Sequence, residues 1–236
     1  VRNKGDAALR ELTEGIEGLR LDELEVPRAA LDKAVDSIPQ ELLAALELAA
    51  GRVADFANAS LPKTRPDHST GLGELVIPLE RIGVYAPGGT AAYPSTVIMT
   101  CVTARAAGVT EIVLCTPARD GLNPNPTVLA AAHIAQVDRV FRIGGAQAIA
   151  AMAYGTESVP RVDKICGPGN IFVTLAKQQL FGQVGIDGIF GPTETVIVAD
   201  ERAAPRLCAA GLLAQAEHDL LASPVLIPPS EALMER

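Results

Sequence analysis

Apolar positions in the first 62 residues repeat with a helical period. The clearest segment covers residues 37–56, where apolar side chains recur three or four positions apart. They form one stripe: Ile38, Leu42, Leu46, Ala49, Val53 and Phe56. Ser37 followed by Gln40 predicts a capping box, with Pro39 in the first turn. We therefore predict an N-terminal helical region that serves packing.

The period changes from about residue 75, where short β-branched runs begin to alternate with helical stretches. The predicted strands are IGVYAP, EIVLCTP, RVFRIGG, DKICGPG, VGIDGIFGP, TVIVAD and PVLIP. Helices are predicted between them, at about 94–107, 126–136, 146–155, 170–181 and 203–218. This alternation predicts βαβ units and a mainly parallel sheet with helices on both faces.

Composition and charge narrow the classes of function. The chain has 236 residues, of which 48% are hydrophobic, and this excludes a disordered chain. We expect a soluble protein without a membrane partner, since no apolar run approaches the ~18–20 residues of a membrane span. The net charge is −8 and the chain has no Lys/Arg cluster, which argues against a nucleic-acid partner. The four cysteines form no CxxC pair, so we expect buried, reduced thiols in a cytoplasmic protein.

Glycine-rich loops follow several of the predicted strands. They read YAPGGTAAYPS, GGAQA, CGPGN and FGPTE, and each presents one polar side chain beside its glycines: Tyr85, Gln147, Asn170 and Thr193. Turn formation explains any one of these loops. Four at strand ends favour a ligand cleft, because ligands of open α/β sheets bind at the carboxyl ends of the strands.

The usual dinucleotide fingerprint is absent. GxGxxG would place its third glycine at position 172 after Gly167 and Gly169, and Phe172 stands there. Asn170 nevertheless begins a predicted helix, whose first N–H groups permit pyrophosphate binding.

The stretch LLAQAEHD is a candidate for half of a metal site. Gln215 and His218 are three positions apart and so share a helix face. Imidazole nitrogen is a good zinc ligand and carboxamide oxygen a weaker one, and two ligands do not complete a tetrahedral site. His68 and His133 are poor candidates for the others. A solvated helix end remains the alternative interpretation.

Taken together, VYAPGGTAAYPSTV, GGAQAIAAMAYGTESVPRVDKICGPGN, GIDGIFGPTE and LLAQAEHD resemble the histidinol dehydrogenase family. The resemblance implies a zinc- and NAD-dependent homodimer that oxidises L-histidinol to L-histidine via L-histidinal in histidine biosynthesis. It also implies an aldehyde-dehydrogenase-like α/β fold with two incomplete Rossmann-like domains. Residues 85–193 would form an inserted NAD-binding domain, and residues 1–84 plus 194–236 the first domain.

Carried over motif by motif, the resemblance assigns roles to six residues. Tyr85, Gln147 and Asn170 match NAD-contacting positions, and Gln215 and His218 match zinc ligands that also touch the substrate. Thr193 matches a substrate-binding position at which the family usually has Ser, so the pocket would be tighter by one methyl group.

The family's catalytic Glu–His pair and further zinc ligands lie in a C-terminal part beyond these 236 residues. We therefore expect a fragment of a longer enzyme that has no catalytic residue of its own and is inactive alone. Two alternatives remain: a non-catalytic nucleotide-binding or assembly module, and a related dehydrogenase for another polar alcohol such as a sulfonated diol.

Overall fold

The computed structural model describes residues 1–67, 69–88, 91–118, 123–190, 194–218, 221–228 and 230. It divides into two compact units, Val1–Ile189 and Phe190–Arg236. Among the described residues, no helix is both long enough and apolar enough to cross a membrane. The predicted boundary of an inserted domain at residues 85–193 stays a prediction.

Three helices open the first unit, as the apolar period predicts. They are α1 (Gly5–Glu17), α2 (Arg28–Ser37) and α3 (Gln40–Ser60). The predicted capping box is wrong, because the Ser37 hydroxyl donates to the Ala34 carbonyl oxygen at 2.9 Å and no side chain caps α3.

The apolar stripe of α3 is confirmed in part. Leu46 and Ala57 are buried on this helix, whereas Phe56 is 75% exposed. Leu42 and Val53 pack against the core, together with Leu43, Ala50 and Ala54. The helix is therefore rotated by about one position from the stripe that the sequence indicates.

A five-stranded parallel sheet forms the centre of the first unit. Its strands are β3 (Arg81–Tyr85), β4 (Glu111–Cys115), β5 (Arg139–Phe141), β6 (Lys164–Cys166) and β7 (Gly185–Ile186). Ahead of them, β1 (Arg65–Asp67) and β2 (Leu72–Glu74) form a separate antiparallel pair. The order across the sheet is β5-β4-β3-β6-β7, with Tyr85 opposite Cys115 and Val84 opposite Cys166. The expected α/β class with a mainly parallel sheet is confirmed.

Helices connect these strands. After β3 come α4 (Pro94–Val97), a π-helical turn (Ile98–Val102) and α5 (Thr103–Ala106), and after β4 comes α6 (Pro126–Ile134). The later connections contain α7 (Gly145–Tyr154), between β5 and β6, and α8 (Ile171–Leu180), between β6 and β7. The chain thus builds outward from β3 to β5 and then returns to β6, which makes the gap between β3 and β6 the topological switch point.

Side chains alternate between the two faces of this sheet. Val84 and Leu114 pack in one apolar cluster with residues of α2, α3, α4 and α6. Tyr85, Val113 and Phe141 pack in a second cluster with residues of α1, α7 and α8. Both faces are covered, which is why the strands are continuous apolar runs.

The segment that follows α1 pairs with the sheet edge. Val26 N–H donates to the Val140 carbonyl oxygen at 2.8 Å, and Arg142 N–H donates to the Leu24 carbonyl oxygen at 2.9 Å. Asp6 anchors the other end of α1, because its carboxylate accepts hydrogen bonds from the Ser158 hydroxyl and amide. Both ends of α1 are therefore tied to the β5–β6 side of the unit.

The second unit is a small βαβ element. Strand β8 (Glu194–Val198) pairs in parallel with β9 (Ser223–Ile227), and α9 (Pro205–His218) connects them. Ile197 and Leu226 are half-buried, whereas Val196 and Val198 are exposed. One sheet face in this unit is thus covered and the other is open.

Candidate functional site

The switch point places the last residue of β3 against the first turn of α7. Tyr85 is 4% exposed, and its hydroxyl oxygen accepts a hydrogen bond from the Gly145 amide at 3.1 Å. Burial raises the pKa of the Tyr85 phenol, and the nearby Glu17 carboxylate raises it further. Tyr85 therefore stays neutral and fixes the start of α7.

The loop after β6 can approach this point only because it lacks side chains. Gly167 has φ +111°, and a β-carbon there would lie 2.1 Å from the Tyr85 carbonyl oxygen. A β-carbon at Gly169 would lie 2.4 Å from the Val173 side chain. Glycine at these two positions therefore lets the main chain of the CGPGN loop pack directly against β3 and the start of α8.

A buried ion pair holds this loop in place. Lys177 is 2% exposed, and its ammonium group donates to the Gly167 carbonyl oxygen at 2.5 Å and to Asp187 at 2.6 Å. The second Asp187 oxygen accepts from the Gly167 amide at 2.7 Å. Sequence reasoning missed both residues, although Lys177 shares a helix face with the apolar Val173 and Leu180 and could have been found there.

Asn170 begins α8, as predicted. Its side-chain oxygen accepts hydrogen bonds from the amides of Phe172 and Val173, each at 3.1 Å. The carboxamide thus caps the helix and fixes its start next to the CGPGN loop.

Gln147 lies in the first turn of α7 and is 5% exposed. Its side-chain nitrogen donates to Glu17, the last residue of α1, at 3.4 Å. Burial raises the pKa of the Glu17 carboxyl group, against the opposing effect of a hydrogen bond from the Gly144 amide. Sequence reasoning also missed Glu17, since its partners are 130 positions away along the chain.

The structure thus brings Tyr85 and Gln147 together at the start of α7, with Asn170 at the start of α8. Cys166 immediately precedes the CGPGN glycines, and burial raises the pKa of its thiol. That group is therefore a weak nucleophile at neutral pH.

The metal-site candidates belong to the second unit. Gln215 lies on α9, and its side-chain oxygen accepts a hydrogen bond from the Thr195 hydroxyl at 2.8 Å. The backbone of His218 ends the same helix, whereas its side chain, Thr193 and His68 lie outside the described residues. The convergence of Gln215 and His218 on the glycine-lined crevice stays a prediction.

We also tested the described side chains for a complete metal site. In the described part of the chain, no group of three or more His, Cys, Asp and Glu could hold a metal ion. His133 lies on α6 with its Nδ1 atom 3.1 Å from Asp32. The ligands on the described residues therefore do not make a zinc site by themselves.

The fold defines an α/β protein with a mainly parallel sheet and a topological switch point between β3 and β6. Comparisons with known proteins give the family. The family model described as histidinol dehydrogenase matches residues 1–236. The chain is 53% identical to the histidinol dehydrogenase of Parasynechococcus marenigrum and 50% identical to that of Aquifex aeolicus, over its full length in both cases. It belongs to the histidinol dehydrogenase family.

A solved structure agrees with this assignment. The crystal structure of histidinol dehydrogenase from Elizabethkingia anophelis matches 98% of the chain with a TM-score of 0.89 and 35% identity. The chain spans about half the length of the relatives it matches, 54% in P. marenigrum and 55% in A. aeolicus. It likewise covers 54% of the E. anophelis chain.

Proposed function

We propose that this chain supplies the dinucleotide-binding part of an NAD-linked, zinc-dependent histidinol dehydrogenase. Such an enzyme oxidises L-histidinol through L-histidinal to L-histidine and so acts in histidine biosynthesis. The observation that carries the proposal is that Tyr85 contacts both the start of α7, where Gln147 lies, and the glycine loop after β6, in a chain that belongs to this family. We also propose that the protein is a cytoplasmic homodimer.

The residues at the switch point suit a dinucleotide. Gly167 and Gly169 let the main chain of the CGPGN loop pack against β3 and α8 where side chains would collide, and the loop brings the start of α8 to the carboxyl end of β6. The Asn170 side chain caps this helix start, and helix starts at such strand ends are where dinucleotide phosphates commonly bind. Tyr85 and Gln147 offer a buried hydroxyl and a carboxamide beside them.

For the metal, we propose Gln215 and His218 as two of the ligands, with Thr193 near the substrate. The Thr195 hydroxyl orients the Gln215 carboxamide, as outer-shell partners of metal ligands do. When bound, zinc would hold and polarise the substrate, and NAD would accept the hydride. The remaining ligands and the acid–base residues would come from outside this chain.

Two measurements test the proposal. Isothermal titration calorimetry of the 236-residue chain should detect NAD+ binding, and a Gln147→Ala variant should bind at least tenfold more weakly. A chimera that adds the part of the P. marenigrum relative that this chain does not span should form NADH from L-histidinol with zinc present. A soluble, folded chimera that forms no NADH would refute the enzymatic assignment. Binding without turnover would instead favour a nucleotide-binding module.

A further inference from the structure

Asp187 lies beside Gly167 because of the register between β6 and β7. The two strands pair in parallel with Ile165 opposite Ile186, and the Asp187 amide donates to the Ile165 carbonyl oxygen at 3.1 Å. The residue that follows β7 is thus brought next to the residue that follows β6. An acid at this one position reaches the start of the CGPGN loop from the neighbouring strand.

Lys177 reaches the same point from α8. It shares the buried face of this helix with Val173 and Leu180, and its side chain is 3% exposed. Its ammonium group donates to the Gly167 carbonyl oxygen at 2.5 Å and to Asp187 Oδ1 at 2.6 Å, while Asp187 Oδ2 accepts from the Gly167 amide at 2.7 Å. The peptide groups on both sides of Gly167 are therefore bonded to charged side chains.

Stability alone does not explain a charged pair in this place. Taking two charges out of water costs about as much free energy as their attraction returns, and apolar side chains of similar size would fill the same space without that cost. Apolar side chains would not hydrogen-bond the two peptide groups of Gly167. What the Lys177–Asp187 pair adds is therefore a fixed position for the loop.

The loop that this pair holds is short. Gly167, Pro168 and Gly169 connect Cys166, the last residue of β6, to Asn170, the N-cap of α8. The ring of Pro168 fixes its φ and removes its amide proton, so little freedom remains between the two glycines. A shift at Gly167 is therefore passed on to Asn170, which is a proposed contact of the dinucleotide.

We propose that Lys177 and Asp187 are positioning residues for dinucleotide binding. They act through Gly167 rather than by contact with the ligand, and they hold Asn170 and the start of α8 in the arrangement that binds it. A loop that already has its bound arrangement loses less freedom on binding, and the affinity is higher for that reason. The inference rests on the proposed function, since it takes the CGPGN loop to be part of an NAD+ site.

The test separates loop position from overall stability. Isothermal titration calorimetry gives the NAD+ dissociation constant of wild type, Lys177→Met, Asp187→Asn and Leu31→Ala, each as the full 236-residue chain. Asp187→Asn keeps the shape of the side chain but turns an NH2 group toward either the Lys177 ammonium or the Gly167 amide. Leu31 is 2% exposed in the apolar cluster on the other sheet face, so its truncation destabilises the protein without touching the loop. Circular dichroism melts choose a temperature at which all four proteins are folded.

We expect Lys177→Met and Asp187→Asn to raise the dissociation constant about tenfold or more, and Leu31→Ala to stay within about twofold of wild type although it melts earlier. If either folded variant of the pair binds NAD+ as wild type does, the pair is purely structural, and the inference is overturned while the proposed function stands. An equal loss of affinity in Leu31→Ala would also overturn it, because binding would then follow stability rather than the loop.

Two further outcomes are decisive. If folded wild type binds no NAD+, the proposed function fails and the inference fails with it. Should Lys177→Met not fold, Asp187→Asn decides by the same limits, and failure of both variants to fold would make the pair a requirement of folding and overturn the inference.

Discussion

Lys177 and Asp187 together hold both peptide groups of Gly167. The lysine ammonium donates to the Gly167 carbonyl oxygen, and the aspartate accepts from the Gly167 amide, while the two side chains pair at 2.6 Å. The side chain of Lys177 is only 3% exposed. The conformation of the CGPGN loop thus depends on two charged residues that flank it in space and follow it in sequence.

Breaking this pair should be costly. Lys177→Met leaves the Asp187 carboxylate partly buried without its cation, and we expect a loss of about 3 kcal/mol in the free energy of unfolding. Urea denaturation followed by circular dichroism measures it. The control is Lys4→Met, which removes the exposed Lys4–Glu11 pair and should change the value by less than about 0.5 kcal/mol. Equal effects of the two variants would contradict a stabilising role of the Lys177–Asp187 pair.

Two glycines with positive φ allow the cost of a steric clash to be distinguished from the cost of the backbone conformation alone. Gly167→Ala places a methyl group 2.1 Å from the Tyr85 carbonyl oxygen, whereas a β-carbon at Gly182, with φ +94°, meets nothing within 4 Å. We expect Gly182→Ala to cost about 1–2 kcal/mol, the usual penalty of such a backbone conformation. Gly167→Ala should cost clearly more or prevent folding. Thermal melts of the two variants, run side by side, give the comparison, and similar melting temperatures would show that the loop moves away freely.

The raised pKa of Glu17 predicts in which direction its contribution to the free energy of unfolding changes with pH. A raised pKa in the folded state means that folding favours the protonated carboxyl group. The contribution of Glu17 to stability therefore falls as pH rises from the unfolded value, 4.5, through the folded value. Relative to wild type, Glu17→Gln should gain stability over that window.

Urea unfolding midpoints of wild type and Glu17→Gln, measured between pH 4 and 7, give this difference in stability. The contributions of the other titrating groups cancel because both proteins share them. Asp6→Asn, followed from about pH 5 down to about pH 2, provides the opposite sign. Burial raises the pKa of Asp6, but hydrogen bonds from Ser158 and Thr156 and the charge of Arg10 outweigh it, so the pKa is lowered overall. The stabilisation by Asp6 is present above 3.8 and is lost as pH falls through the lower folded value. A flat difference for Glu17→Gln would contradict its burial.

Thr195 should control zinc affinity through Gln215. Thr195→Val removes the hydroxyl that donates to the Gln215 oxygen at 2.8 Å, so the carboxamide loses its orientation. We expect zinc to bind about tenfold more weakly, as for other outer-shell changes. Competition with a colorimetric chelator, on the chimera that carries the remaining proposed ligands, measures the affinity. Thr195→Ser keeps the hydroxyl and should bind as wild type does, and equal affinity of all three proteins would exclude this role.

The thiols should be inert in the folded protein. Burial raises the pKa of Cys101 to about 12 and also raises the pKa of Cys115. Iodoacetamide at pH 8 should therefore modify neither residue until urea unfolds the chain. Peptide mass spectrometry locates the label, and rapid native modification of either thiol would contradict their burial.

Local features of this fold are readable from the sequence. The strands β3 to β6 coincide with β-branched runs, and α7, α8 and α9 begin within two residues of the predicted positions. Glycine spacing also indicates the close approach of the main chain at Gly167. These features depend on neighbours a few positions apart, where periodicity and turn chemistry act.

Long-range partners are what the sequence does not reveal. Phe56 fits the helical period yet is exposed, because period alone does not say which flank of a stripe meets the core. Glu17 looks like an ordinary acid of an amphipathic helix until the fold brings it to Gln147. Ser37 satisfies the spacing of a capping box, but it is the last residue of α2 and donates to Ala34 within that helix, so Pro39 occupies the N-cap of α3.

The close approach of Gly167 to β3 has a consequence for how the proposed dinucleotide site can vary among related proteins. Replacing this glycine would bring a side chain against the Tyr85 carbonyl oxygen, so the loop itself is not free to change. We therefore expect differences in what related proteins accept to arise from side chains that other helices place around the loop.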